Sequence, residues 1–233
     1  MKTLAVIPAF NEHKNVARVV AGVKKHISAV LVIDDASHDN TTQEAAKSGA
    51  LVVRHPYNLG YAVACQTGYK YALANNYDRV VQLDGDGQHD PEDIPKLLSP
   101  LDSGADLVIG SRFSGVGNYS MQKMRRIGKN FFSLLIRLST KKEVLDPTSG
   151  YLAFSKPVLE LFTSDAFADE YPDADMLILA LRHGHSIIET GVSMRHNNTG
   201  QSIHAGLISP AYYMLRLSLG VLAALLADTR KSL

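Results

Sequence analysis

Asp84 and Asp86, separated by a single glycine in the stretch Val80-Val81-Gln82-Leu83-Asp84-Gly85-Asp86-Gly87-Gln88-His89-Asp90-Pro91, carry the strongest chemical signal in the chain. An apolar run leads straight into the two acids. This is the pattern of a buried strand that ends in a tight turn and presents carboxylates at its carboxyl edge. Side chains two apart in an extended segment point to the same side. Two carboxylates held there repel each other unless a cation or water lies between them. Gly85 and Gly87 leave the backbone open to close approach by a ligand. The chemistry this suggests is a divalent-metal site that holds a diphosphate. The plain alternative is an acidic turn between a strand and a helix.

The segments around this motif must position it. Residues 4–7 form a short apolar run followed by Pro8-Ala9-Phe10-Asn11-Glu12, a strand and a loop, with Asn11 as the expected N-cap of a helix running to about His26. Residues 29–33 are a second apolar run, ending in Asp34-Asp35, and Asp39 is placed to cap the helix after it. Strands are expected at 50–54, 79–83 and 105–109, with a helix over about 61–75 and Pro91 in the first turn of the next one. Short apolar strands alternating with helices predict an α/β fold with a mostly parallel sheet covered on both faces. Ligands of such sheets sit outside the carboxyl ends of the strands. Asn11/Glu12, Asp34/Asp35, Asp84/Asp86 and Arg112 all fall at those ends. Neither a G-x-G-x-x-G turn after the first strand nor a Walker-type lysine loop is present, so a metal bridging to Asp84 and Asp86 is the natural way to hold a diphosphate.

Composition narrows the classes further. With 24 Lys+Arg against 23 Asp+Glu, the chain lacks the positive charge of a general nucleic-acid binder. Cys65 is the only cysteine, which excludes a disulfide framework and a thiolate metal cluster and points to a reducing, cytosolic compartment. The first residues are broken too soon by Pro8 to read as a signal peptide. Two segments suggest a membrane surface. Residues 122–138 place Lys123, Arg125, Arg126, Lys129 and Arg137 among Met, Ile, Phe and Leu, and residues 207–227 are almost wholly apolar but contain Pro210, Arg216 and Gly220. The first reads as a basic amphipathic helix near anionic lipid or facing a phosphate, or as an ordinary surface helix. The second is about the length of a spanning helix, a reading weakened by Pro210, Arg216 and Gly220, with an in-plane amphipathic helix or one packed on the domain or on a partner chain as rivals.

The order of these clusters resembles glycosyltransferase family 2, and more closely its branch of dolichyl- and polyprenyl-phosphate sugar transferases. The matching residues are Ile7-Pro8-Ala9-Phe10-Asn11-Glu12, residues 32–41, Asn58-Leu59-Gly60, residues 83–91, Gly110-Ser111-Arg112 and Asp146-Pro147-Thr148-Ser149-Gly150-Tyr151. The resemblance implies a GT-A (Rossmann-like) domain over residues 1–205, its nucleotide half about 1–112 and its acceptor half about 113–205; the apolar composition of residues 206–233 reads as a C-terminal helix for membrane or partner contact. It implies a UDP- or GDP-linked sugar donor, lined by Pro8, Ala9, Phe10, Glu12, Gly60 and Gly85, and by Asp34 and Asp35 at the base, Asp35 preferred. Asp84 and Asp86 match the D-x-D acids, with Asp86 on Mg²⁺ or Mn²⁺ and Gln88 as a further ligand. Arg112 and Arg125, with Arg126, match the phosphate-binding arginines of an acceptor site.

Asp173, by its spacing to Gly184, falls where many family members carry a catalytic acid, and Asp175 is the second choice. The alternative for both is capping of a helix start. Pro172, Leu152 and Asn197 depart from residues common in the family, and His204 is a late metal or diphosphate candidate. The expected activity is inverting, metal-dependent transfer of one hexosyl or N-acetylhexosaminyl group to a polyprenyl phosphate, by an enzyme peripheral to the cytoplasmic face of a membrane. The alternatives are transfer to a saccharide hydroxyl in cell-wall or glycan assembly, and a nucleotide-sugar-binding subunit without turnover. The Q-x-x-R-W signature of processive synthases is absent.

Overall fold

The computed structural model describes residues 1–114, 123–164 and 174–195, with the side chains of residues 123–127 outside that description. In chain order the elements are β1 (Thr3–Ala9), α1 (Val16–Val23), β2 (Ala29–Asp34), α2 (Thr41–Lys47), β3 (Leu51–Arg54), α3 (Tyr61–Ala74) and β4 (Arg79–Gln82). A single 3-10 turn then leads into α4 (Ile94–Asp102), β5 (Leu107–Ser111), α5 (Lys123–Thr140), β6 (Leu152–Ser155), α6 (Lys156–Phe162), α7 (Ala174–Arg182) and β7 (Ile187–Gly191).

The described strands form one sheet in the order β3-β2-β1-β4-β6-β5-β7. All neighbours run parallel except β6, which is antiparallel to both β4 and β5. The carboxyl ends of β1, β2, β4 and β5 therefore lie along one edge, as the sequence predicts. Strand β6 and helix α6 are not apparent from sequence. Leu-Ala-Phe-Ser is four residues long, is followed at once by Lys156-Pro157, and offers no alternation to read. Its reversed direction brings the loop before it, residues 146–151, to the ligand edge.

Alternation along the strands divides the core into two layers. Leu4, Val6, Leu31, Ile33, Val80, Leu107 and Phe154 face the layer that holds residues of α3, α5, α6 and α7. Ala5, Ile7, Val30, Val32, Val81 and Val108 face α1 and α4. Helix α1 buries Val16, Val19, Val20 and Val23, the spacing of one apolar stripe, and each buried valine contributes roughly 1.5–3 kcal/mol. Gly68 lets α3 lie close on β1, since a Cβ there would sit 2.3 Å from Val6 Cγ1.

Asn11 is not the N-cap of α1. It sits at φ 57° and its Oδ1 accepts from His38 N–H at 2.8 Å, tying the β1 loop to the β2 loop, while Asn15 occupies the cap position. Asn40, not Asp39, occupies the N-cap of α2; Asp39 stands one residue earlier and accepts from the Thr41 amide at 2.9 Å.

Candidate active site

Asp84 and Asp86 stand just beyond β4, as expected. Gly85 donates its N–H to the Pro8 carbonyl at 3.2 Å, and a Cβ on Gly85 would lie 3.1 Å from Ala9 Cβ. Pro8 and Ala9 thus seat the acidic turn on the end of β1. Asp86 is nearly buried, and its carboxylate accepts from Gln88 N–H at 2.9 Å and from Gln88 Nε2 at 2.7 Å. Burial and then the Asp84 charge raise its pKa. Gln88, expected as a further metal ligand, donates its N–H and Nε2 to Asp86 and so orients that carboxylate. Opposite this turn, Glu12 is buried with its carboxyl pushed up to about 7, first by burial and further by the Asp86 and Asp84 charges, against a lowering hydrogen bond from Asn15.

His89 is a member of the site that sequence reasoning left unassigned. It is fully enclosed, stacks on Tyr151 at 4.9 Å between centroids, and accepts the Asp84 N–H on Nδ1 at 3.1 Å. Burial lowers its pKa to about 4, so it is a neutral strut beneath the acids. Tyr61 and Gln82 are two more unassigned members. The Tyr61 hydroxyl donates to Asp84 Oδ1 at 2.8 Å, and Gln82 Nε2 donates to the Tyr61 oxygen at 3.2 Å and to the Gly150 carbonyl at 3.0 Å. A polar residue in the middle of the apolar run at 79–83 was the one available signal for Gln82.

On the expected nucleotide side, the loops after β1 and β2 enclose a cleft of about 370 Å³ lined by Asn11, Glu12, His13, Lys14, Asn15, His38 and Asp39, within the size range of small-ligand sites. Phe10 packs edge-on against His38. Of the paired acids at 34 and 35, Asp34 is corrected. Asp34 is fully buried and accepts from Ser37 N–H and the Thr42 hydroxyl, so it cannot line a ligand. Asp35 accepts from the amides of Leu59 at 2.9 Å and Gly60 at 2.8 Å and pairs with His55 Nδ1 at 2.7 Å. Its carboxylate shapes the loop before α3, where Gly60 adopts φ 93°.

Arg112 follows β5 at the same edge. Its Nε and Nη2 lie 2.8 and 2.6 Å from the two oxygens of Asp146, and Nη2 also reaches Thr148 Oγ1 at 2.9 Å. The expected phosphate-binding arginine is therefore fixed by a buried acid 34 residues away in sequence. Lys129 Nζ lies 4.7 Å from the centre of the Phe113 ring, bringing a second cation to this side. Arg125 and Arg126 fall on the first turn of α5, where side chains are outside the described residues. Asp173, His204 and the helix expected over 206–233 also lie outside them. Asp175 is buried at the start of α7, with its own Oδ1 on the Met176 amide at 2.9 Å.

A family model described as glycosyl transferase family 2 matches residues 4–162, from the first strand through α6. The chain belongs to glycosyl transferase family 2. It is a glycosyltransferase of GT-A-like fold. Among its relatives, an undecaprenyl-phosphate mannosyltransferase of Micrococcus luteus is 31% identical, the alignment covering 88% of this chain and 88% of that one. A polyprenol monophosphomannose synthase of Mycolicibacterium smegmatis is 30% identical over 88% of this chain and 82% of its own length. Among solved structures, glucosyl-3-phosphoglycerate synthase of Mycobacterium tuberculosis, in complex with Mn²⁺, uridine diphosphate and phosphoglyceric acid, superposes with a TM-score of 0.72 at 22% identity, covering 97% of this chain and 79% of that one. That likeness concerns the fold.

In this family 2 enzyme the acids fit a hard divalent cation. Among the described residues no three His, Cys, Asp or Glu side chains converge as a metal cage. The donors present are carboxylate oxygens at one turn, where burial and then the neighbouring Asp84 charge raise the pKa of Asp86. A divalent cation held here would take one or two of these carboxylates and complete its shell with water and phosphate oxygens.

Proposed function

We propose that this enzyme transfers one sugar, with inversion, from a nucleotide-diphosphate sugar to a polyprenyl phosphate at the cytoplasmic surface of a membrane. The observation that carries the reading is the placement of the Asp84/Asp86 turn and the Asp146-fixed Arg112 along one sheet edge, on either side of β6. Acids at that edge suit a metal-bound diphosphate leaving group, and cations beside them suit an anionic acceptor. The polyprenyl-phosphate activities in the names of the relatives support the same acceptor class.

Asp84 and Asp86 would hold Mg²⁺ or Mn²⁺, which neutralises the charge that the nucleoside diphosphate gains as the glycosidic bond breaks. The loops after β1 and β2 would receive the nucleotide in the cleft bounded by Glu12 and Asp39. Arg112 and Lys129 would place the acceptor phosphate, which is already anionic and needs no strong base to attack the sugar. An acceptor hydroxyl would need one.

Membrane contact is supported by the outward face of α5 and the turn after it. Leu134 is 51% and Leu138 72% exposed, and Arg137, Lys141 and Lys142 are exposed beside them. Among the described residues no helix is long and apolar enough to cross a membrane; the contact proposed for α5 is in-plane, from its exposed leucines flanked by cations. Residues 206–233 would supply a second contact, to the bilayer or to a small membrane partner or second copy.

The test is an acceptor choice. Purified enzyme receives radiolabelled UDP- and GDP-sugars in turn, with Mn²⁺, a polyprenyl phosphate and a soluble oligosaccharide together. Label entering the organic phase supports the proposal, and label found only in water-soluble glycan contradicts it.

A further inference from the structure

We infer that Tyr61 is a positioning residue for the metal-binding acid Asp84, and that through Gly150 it sets the loop that carries the acceptor arginine's partner. This rests on the function proposed above and concerns the same site.

Three segments distant in sequence meet at the Tyr61 hydroxyl. It donates to Asp84 Oδ1 at 2.8 Å, and it receives Gln82 Nε2 at 3.2 Å. The same Gln82 nitrogen donates to the Gly150 carbonyl at 3.0 Å, and Tyr69 O–H donates to Gln82 Oε1, which fixes the amide's orientation from behind. A Cβ at Gly150 would lie 2.8 Å from the Tyr61 oxygen and 3.3 Å from Asp84 Oδ2. Only glycine therefore allows the 146–151 loop to press on this point. That loop is rigid further along: Ser149 Oγ donates to the Gly110 carbonyl at 2.6 Å, Gly110 N–H donates to the Tyr151 carbonyl at 2.8 Å, and Asp146 grips Arg112.

One hydroxyl thus restrains an acid that would bind the donor's metal and, through the Gln82 amide, is linked to the loop that holds the acceptor-side cation. A carboxylate that ligates a metal binds better when an outer hydrogen bond holds its rotamer, and losing such a partner typically costs 10- to 100-fold in metal affinity. The ring of Tyr61 packs against the core layer around α3, so removing only the oxygen leaves the packing in place.

The experiment measures Mn²⁺ binding by electron paramagnetic resonance, with UDP or GDP present, for the unsubstituted enzyme, Tyr61→Phe, Gly150→Ala and, as a control on the same helix, Tyr71→Phe. The expected result is a loss of about tenfold or more in Mn²⁺ affinity for Tyr61→Phe and Gly150→Ala, an unchanged value for Tyr71→Phe, and metal-free melting of Tyr61→Phe close to that of the unsubstituted enzyme. A purely structural role would lower the melting temperature and leave Mn²⁺ affinity alone, and that result overturns the inference. If the unsubstituted enzyme binds no Mn²⁺ with either nucleotide, the proposed function itself falls and takes the positioning role with it.

Discussion

Arg112 and Asp146 form a two-point pair, Nε to Oδ2 at 2.8 Å and Nη2 to Oδ1 at 2.6 Å, with the Arg112 amide donating to the same Oδ2 at 2.9 Å. Asp146 is fully buried and its own amide is held by Glu189 Oε1 at 2.8 Å, which links the ligand edge to the outer strand β7. Leaving one member of a buried pair without the other costs about 3–5 kcal/mol. Asp146→Ala should therefore lower stability by that order in chemical denaturation. Arg112→Lys should not restore the fork, because an ammonium cannot bond both oxygens in one plane, and its KM for the lipid acceptor should rise more than its KM for the donor. A donor KM that rises instead would place Arg112 on the nucleotide side.

Glu12 gives the protein a pH-dependent weakness. Its carboxyl is raised from 4.5 to about 7, so the folded state holds a proton that the unfolded chain has already released. The resulting stability is complete below pH 4.5 and is lost as pH rises through 7. His89 opposes it, since lowering from 6.5 to about 4 makes acidification destabilising in that interval. Glu12→Gln isolates the first effect. The variant should melt like the parent near pH 4 and above it at pH 8, by up to about 3 kcal/mol in stability. A difference independent of pH would contradict this account of Glu12.

Gly68 sets the distance between α3 and β1. Alanine is the better helix former by about 1 kcal/mol, but its Cβ would meet Val6 Cγ1 at 2.3 Å. Overpacking of this kind typically costs 1–3 kcal/mol. Gly68→Ala should consequently be less stable than the parent in urea, whereas Gly104→Ala, where no atom lies within 4 Å of the added methyl, should show only the strain of its φ of +99°.

The exposed leucines of α5 can be tested apart from catalysis. Leu138→Glu should reduce co-flotation with vesicles containing anionic lipid and leave melting unchanged, because Leu138 is 72% exposed. Transfer to a short-chain, water-soluble acceptor phosphate should persist. Unaltered flotation would remove this face from the membrane contact.

The sequence made the carboxyl-edge acids legible because strand, turn and acid follow one another within a few residues. Asp84 and Asp86, Glu12 beside its cleft, and Arg112 after β5 all stand where local pattern places them. What it did not show depends on contacts between distant segments. Asp34 looked like a ligand residue until Ser37 and Thr42 proved to use its oxygens. That Gln88 orients Asp86 through its Nε2 was likewise not legible. Tyr61, 23 residues from Asp84, has no sequence signal as its partner. The reversed β6 was hidden by its length, and with it the reason that Gly150 reaches the acids.

The central claim is that the Asp84/Asp86 turn drives sugar transfer to a lipid phosphate. The most direct measurement is mass spectrometry of the organic extract after incubating polyprenyl phosphate, the preferred nucleotide sugar and Mn²⁺ with the enzyme or with Asp86→Ala. The account predicts glycosylated polyprenyl phosphate with the parent enzyme, and its loss with Asp86→Ala or on chelation of the metal. A parent enzyme that leaves the lipid unmodified while glycosylating a soluble acceptor, or an Asp86→Ala variant with undiminished lipid product, would contradict it.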